Sequence, residues 1–220
     1  MTPANDHRYD TRVLDANAPD AIQEAAAALR RGEVVVFPTD TVYGVGCDYR
    51  DPAAIERLYW AKQRPYKLAI PVLVSHPRHV SQVARSLPAA YEELTARFWP
   101  GGLTLIVPRL TSLPDILTAG GNTVAVRMPD HPVAQELIEA AGGAVAGTSA
   151  NLSSRPSPCA AQEALADLDG RVHLLLDGGA CPQGVASSIV DLCSTPSRLL
   201  RGGGLDPKLL REVLPDLVVA

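Results

Sequence analysis

Residues 34–48 read VVVFPTDTVYGVGCD, and the rest of the chain is organised around them. Val34–Phe37 is a β-branched and aromatic run bounded by Gly32 and Pro38, which predicts a short buried strand. The chemistry then changes within one residue. Thr39, Asp40, Thr41 and Tyr43 place three hydroxyls and a carboxylate side by side, followed by Gly44 and Gly46. In an extended segment Thr39, Thr41 and Tyr43 would share one face. Glycines beside them permit close backbone approach. The stretch therefore reads either as the wall of a site for a small polar ligand or as a plain strand–turn–strand.

Working outward, Asn17–Arg31 reads as a first helix with Asn17 as candidate cap, preceded by a flexible tail over residues 1–17. Val45–Tyr49 is a candidate partner strand. Asp51 and Pro52 open a second helix with Ile55, Leu58 and Tyr59 on its apolar stripe. Lys62 continues that stripe, and Arg64 follows just before Pro65. The two cations either complement the helix C-terminus or enter a cleft beside the sheet. Further strands are expected at Ile70–Val74, Leu103–Val107, Thr123–Arg127, Ala144–Gly147, Val172–Leu176, Ser187–Leu192 and Arg198–Leu200. Helices are expected at Leu87–Phe98, from Asp130 to Gly142, at Ala160–Leu168 and at Pro207–Val213. In Thr123–Arg127, Val124 and Val126 share one face while Ala125 and Arg127 share the other. Leu152–Pro158, rich in Ser and Pro, is a loop where a moving lid would be cheap to build.

Strands and helices alternate without a composition break or a repeat, so one α/β domain over 18–220 is the economical architecture. A net charge of −4 argues against a general nucleic-acid coat, although not against a local basic cleft. No apolar run is long enough to span a membrane, and the polar N-terminus carries no signal-peptide pattern. Cys47, Cys159, Cys181 and Cys193 are scattered singles, which suit a reducing cytoplasm. With the five histidines they form no metal-ligand spacing.

Polar clusters recur at segment ends: Thr39–Tyr43, Lys62/Arg64, Thr148–Asn151, Gly184–Ser188 and Arg201–Gly204. Open α/β sheets gather ligand contacts from such ends. Cations, small hydroxyls and exposed glycine amides together suit a polyphosphate. Neither a P-loop nor a G-x-G-x-x-G fingerprint is present, and no nucleophile–base pair stands out. Positioning and charge stabilisation fit better than covalent catalysis.

PTDTVYGVG (38–46), Lys62-Gln63-Arg64, Ser149-Ala150-Asn151, GVASSIVDL (184–192) and Arg201-Gly202 together resemble the YrdC-like threonylcarbamoyl-AMP synthases. The resemblance covers about residues 18–205. It implies a single-domain, twisted, open mixed sheet with flanking helices and a large concave cleft, in the short form of the family. It also implies that L-threonine, bicarbonate and ATP give threonylcarbamoyl-AMP and pyrophosphate, for threonylcarbamoyladenosine formation on tRNA next to the anticodon. ATP is then a substrate, with Mg²⁺ held mainly by its phosphates. A tRNA-modifying threonylcarbamoyl transferase is the expected downstream partner.

On this resemblance Lys62, Arg64, Ser149 and Asn151 are the expected catalytic and nucleotide-binding residues, with Arg201 also on the triphosphate. Thr39, Tyr43, Arg127 and Ser187 are the expected threonine-binding residues, and no protein metal ligand is expected. Ala69-Ile70-Pro71 stands where the family often carries Pro-Leu. The alternative from another class is a non-catalytic module gripping tRNA or double-stranded RNA in the same cleft, and weak RNA binding also fits the synthase. Scarce aromatic residues argue against such a module.

Overall fold

A computed structural model describes residues 8–219. In chain order the elements are β1 (Arg12–Asp15), α1 (Ala21–Arg30), β2 (Val35–Phe37), β3 (Gly44–Cys47), α2 (Pro52–Ala61), β4 (Val72–Val74), α3 (Tyr91–Phe98), β5 (Leu103–Pro108), β6 (Thr123–Arg127), α4 (Pro132–Ala140), β7 (Ala144–Ser149), α5 (Ala161–Leu168), β8 (Leu174–Asp177), β9 (Ser188–Asp191), β10 (Arg198–Arg201), α6 (Pro207–Val213) and β11 (Val218–Val219). A 3₁₀ turn over Pro77–Gln82 follows β4.

The strands form one mixed sheet in the order β1-β8-β2-β3-β7-β4-β6-β5-β9-β10-β11. β2 and β3 are an antiparallel pair, β3 and β4 flank β7 antiparallel, and β4 runs parallel to β6. β5 is antiparallel to β6 and parallel to β9.

Side-chain alternation divides the sheet's two faces. Val36, Val45, Val72, Leu103, Leu105, Val124, Val126, Ala146 and Val190 point to one side. There they pack in a single large core with Ile55, Leu58 and Tyr59 of α2 and Leu94 of α3. On the other side Val35, Phe37, Leu73, Val145, Leu174 and Leu176 pack beneath α1 and α4, against Ala25, Leu29, Leu137 and Ile138. That second layer covers only part of the sheet. The opposite-face residues of β5, β6, β9 and β10 instead line an open cleft, Thr104, Ile106, Ala125, Arg127, Ile189 and Arg201 among them.

The expected fold class holds, with local corrections, one of them the helix expected from Leu87, which starts at Tyr91. Part of the stretch expected as a tail over residues 1–17 is ordered: Arg12–Asp15 pairs with β8 as a parallel edge strand, while residues 1–7 lie outside the described residues. The first helix starts at Ala21 rather than Asn17, whose side chain bonds Asp15 instead of capping. Thr39–Val42 is a bend joining β2 to β3, not a continuation of the strand.

Candidate active site

The cleft encloses about 360 Å³, within the usual span of ligand pockets. One wall comes from the Thr39–Tyr43 bend with Gly44, Gly147, Thr148 and Ser149 of β3 and β7. Arg64, Ala69 and Pro71 continue it, so the departure at Ala69-Ile70-Pro71 is itself a stretch of cleft wall. The other wall comes from β5, β6, β9 and β10.

The bend is closed by its own side chains. Thr39 Oγ1 donates to the Val42 carbonyl at 2.6 Å and accepts from the Thr41 and Val42 amides, which consumes its hydroxyl. Thr41, paired with Thr39 at 3.1 Å, is the hydroxyl of this row that also lines the cleft with bonding capacity left. Tyr43 contributes to the lining, but its phenol is elsewhere. It donates to the Gly179 carbonyl at 2.7 Å and accepts from the Gly178 amide at 3.2 Å. Burial, offset in part by the Gly178 amide, pushes that phenol up to about 12. In this structure the Tyr43 hydroxyl is tied to the chain just beyond β8.

α2 separates the two cations of Lys62-Gln63-Arg64. Lys62 is its C-cap, followed by Gln63 with φ 49°. The Gln63 amide donates to Trp60 O and the Arg64 amide to Tyr59 O, a Schellman ending with glutamine in the left-handed position. Lys62 is 1% exposed and does not line the cleft. Its Nζ donates to the carbonyls of Ser149 and Asn151, the latter at 2.6 Å, with Asn151 Oδ1 at 3.4 Å. Burial, reinforced by the Arg64 charge, lowers its pKa to about 7. In this structure its ammonium is held by the turn after β7, directly behind the Ser149 wall of the cleft.

Asn151 behaves similarly. It is buried, bonds the Leu152 and Arg155 carbonyls through Nδ2, and accepts from Ser149 Oγ. Ser149 lines the cleft; Asn151 stands behind it. The Leu152–Pro158 loop is tied down by Ser153 N to Lys62 O and by Tyr43 N to Pro158 O, and only its Ser157 lines the cleft.

Arg64 does line the cleft, held by the carbonyls of Leu68 at 3.0 Å and Ala69 at 2.7 Å. Arg201 lines the opposite side, its Nε on the Ser187 carbonyl and its Nη2 on Ser187 Oγ at 3.1 Å. Ser187 Oγ in turn pairs with Thr104 Oγ1 at 2.8 Å. Arg127 projects from β6 opposite Val124 and Val126, as the alternation predicts. It is bonded to the Gly101 carbonyl at 3.0 Å and to Asp40. Burial lowers the pKa of all three guanidiniums, and Asp40 opposes this for Arg127.

Of the nine site residues expected from sequence, the structure brings Thr39, Tyr43, Arg64, Arg127, Ser149, Ser187 and Arg201 to one cleft, with Lys62 and Asn151 directly behind it. Two residues outside that set join them: Asp40 as the partner of Arg127, and Thr104 as the partner of Ser187. Thr104 had a signal: it is the polar residue at an alternate position within an otherwise apolar strand.

The Sua5/YciO/YrdC family model, described as "Telomere recombination", matches residues 27–203. The chain belongs to the Sua5/YciO/YrdC family. Two curated relatives carry the name threonylcarbamoyl-AMP synthase. The one from Pyrococcus abyssi is 39% identical over 196 residues, 89% of this chain and 58% of that protein. The one from Bacillus subtilis is 41% identical over 210 residues, 95% of this chain and 60% of that protein. The chain therefore spans roughly 60% of the length of these relatives. A crystal structure of P. abyssi Sua5 complexed with L-threonine superposes with a TM-score of 0.91 at 36% identity, covering 96% of this chain and 62% of that one. Among the described residues of this family member, no helix is long and apolar enough to cross a membrane.

Proposed function

We propose that this chain is an L-threonylcarbamoyladenylate synthase, a nucleotidyltransferase that converts L-threonine, bicarbonate and ATP into threonylcarbamoyl-AMP and pyrophosphate, for threonylcarbamoyladenosine formation on tRNA. The observation that carries this reading is the charge of the cleft. Its charged lining residues are three guanidiniums, Arg64, Arg127 and Arg201, set among Thr and Ser hydroxyls and small residues over the sheet. Such a lining suits a polyphosphate beside a carboxylate. The L-threonine complex of P. abyssi Sua5 supports an amino acid as the second ligand.

In this reading threonine's neutral amine attacks CO₂ derived from bicarbonate, and a carbamate oxygen then attacks the α-phosphorus as the bond to pyrophosphate breaks. Charge develops on the phosphate oxygens, so fixed cations and donors are the protein's main contribution. Arg64 and Arg201 hold the triphosphate with Ser149 beside it, and Arg127 holds the threonine carboxylate. Thr41 and Ser187 meet the amino acid's polar groups. Lys62 and Asn151 act through the Ser149–Asn151 turn. Among the described residues no three His, Cys, Asp or Glu side chains gather around a metal position. With guanidiniums as the charged lining, Mg²⁺ would take its ligands from the triphosphate and water. Nothing in the cleft favours the RNA-binding alternative: its volume suits small molecules rather than a duplex.

Pyrophosphate release measured with ATP is expected to require threonine and bicarbonate together. Release that continues unchanged when either is omitted would overturn the synthase reading.

A further inference from the structure

The three guanidiniums of the cleft differ in one respect. Arg127 is joined to a carboxylate: Nη2 donates to Asp40 Oδ1, and the two side chains are 8% and 2% exposed. Arg64 and Arg201 have no carboxylate partner among the described residues; their N–H groups go to the carbonyls of Leu68 and Ala69, and to Ser187. Asp40 stands behind the wall rather than in it. Its Oδ1 also accepts the Asp130 amide at 3.1 Å, and Oδ2 meets no hydrogen-bond partner. Its negative charge is therefore devoted to one guanidinium.

We propose that Asp40 determines how the cleft sorts its ligands: by neutralising Arg127 it reserves that guanidinium for a singly charged carboxylate and leaves the polyphosphate to Arg64 and Arg201. The inference rests on the reading that one cleft receives both an amino acid and a nucleoside triphosphate. A polyanion is drawn to uncompensated positive charge, and the attraction grows in an enclosed, partly desolvated site. Without Asp40, the deeply buried Arg127 would compete for phosphate as strongly as its neighbours. With Asp40, the long-range field of Arg127 is cancelled but its short-range donors persist. Nε is used by Gly101 and one N–H of Nη2 by Asp40, which leaves an N–H on each terminal nitrogen for a planar carboxylate. Selectivity then comes from withholding attraction from the wrong ligand as well as offering it to the right one.

A merely structural Asp40 and a sorting Asp40 predict opposite signs. If Asp40 only braces Arg127, removing its charge weakens every ligand. If it sorts ligands, removing the charge strengthens pyrophosphate, and does so more than it strengthens the singly charged carboxylate of threonine. The test is calorimetric titration of inorganic pyrophosphate and of L-threonine, separately and together, into wild type and Asp40→Asn at low ionic strength. Asn keeps an oxygen able to accept from Arg127 and from the Asp130 amide. Pyrophosphate is expected to bind Asp40→Asn about tenfold tighter than wild type, and to compete with threonine only in the variant.

The double variant Asp40→Asn/Arg127→Gln exchanges the buried ion pair for two neutral amides, so neither partner is left as a buried, unpaired charge. It supplies the test should the single variant fail to fold. Its pyrophosphate affinity is expected to equal wild type, because the pair it removes carries no net charge. Pyrophosphate affinity that is unchanged or lower in Asp40→Asn overturns the proposal. So does a double variant well below wild type, since Arg127 would then already attract phosphate. A wild type that takes pyrophosphate but no threonine is a different failure: it sinks the substrate reading, and the carboxylate half of the proposal with it.

Discussion

Lys62 and Arg64 are two residues apart, yet one ends behind the cleft wall and the other in it. The apolar stripe of α2 correctly put Lys62 on the buried face. Its destination was not legible, because the carbonyls that receive Nζ belong to Ser149 and Asn151, 87 and 89 residues away. The same holds for Asp40, whose partner Arg127 is equally remote in sequence. Side-chain type and periodicity are local information; the identity of a buried group's partner is not.

The position of Lys62 has a measurable consequence. Its folded pKa of about 7 lies below the ordinary value of 10.5. Between the two the unfolded chain holds a proton that the folded protein does not, so stability rises with pH across that window. Below about 7 both states carry the proton, and the fold bears the full cost of a buried ammonium. Urea unfolding from pH 7 to 9 should show wild type gaining on the order of 2 kcal/mol relative to Lys62→Met. Above pH 9 the buried Cys47 thiol, raised by desolvation, contributes with the opposite sign. Because the other groups cancel in the difference, parallel pH profiles would refute a depressed Lys62.

The elements that were read closest to their true limits carry their own punctuation. α2 starts where Asp51 accepts the Ala53 amide at 2.9 Å with Pro52 in the first position, and α6 starts the same way at Asp206 and Pro207. β6 matches its expected span because alternation and flanking polar residues agree. The misses lack such local cues. β1 is four residues long and mostly exposed, and it is a strand only because β8 offers it a parallel edge. The Thr39–Val42 bend looked extended, since its hydroxyl-to-carbonyl closure is invisible to a period-2 pattern. β7 runs on to Ser149, two residues past the small-residue run, because Gly44 pairs with Ser149 across the ladder.

The C-terminal end of α2 supplies an element-scale prediction. Gln63 is exposed and occupies the left-handed region that glycine adopts without a Cβ penalty. Gln63→Gly should therefore stabilise the protein by about 0.5–1 kcal/mol, after allowing for the extra freedom of glycine in the unfolded chain. The denaturation midpoint should rise with the slope unchanged, and nucleotide affinity should stay put. A lower midpoint would mean that the glutamine side chain contributes more than its strained backbone costs.

At the scale of the whole molecule, the cleft exists because the second layer of helices is incomplete. Alternation within β5, Leu103/Leu105/Val107 against Thr104/Ile106, showed that one face is more polar. Which half of the sheet stays uncovered depends on where α1 and α4 pack, and those are contacts between distant segments. The resulting cleft draws Arg64 from beyond α2, held on the segment that leads into β4, and Arg201 from β10, so a bound nucleotide would tie together parts of the sheet that β6, β5 and β9 separate. A ligand that binds only the folded state stabilises it by about 2.7 kcal/mol at a concentration of 100 Kd. For a domain of this size that corresponds to a rise in Tm of roughly 5–10 °C. Neither arginine leaves a carboxylate unpaired when it is removed, and the hydrogen bonds lost run to the Leu68 and Ala69 carbonyls and to Ser187, so Arg64→Ala or Arg201→Ala should lower the ligand-free Tm by only about 2–4 °C, against which each variant's own shift is measured. If each contributes about one decade of affinity, either variant should roughly halve the shift at the same MgATP concentration. Arg198→Ala is the control: this arginine is exposed on the same strand as Arg201 but does not line the cleft. Its shift should match wild type. An undiminished shift in Arg201→Ala would remove that residue from the nucleotide site, and an equal loss in Arg198→Ala would reduce the effect to general charge attraction.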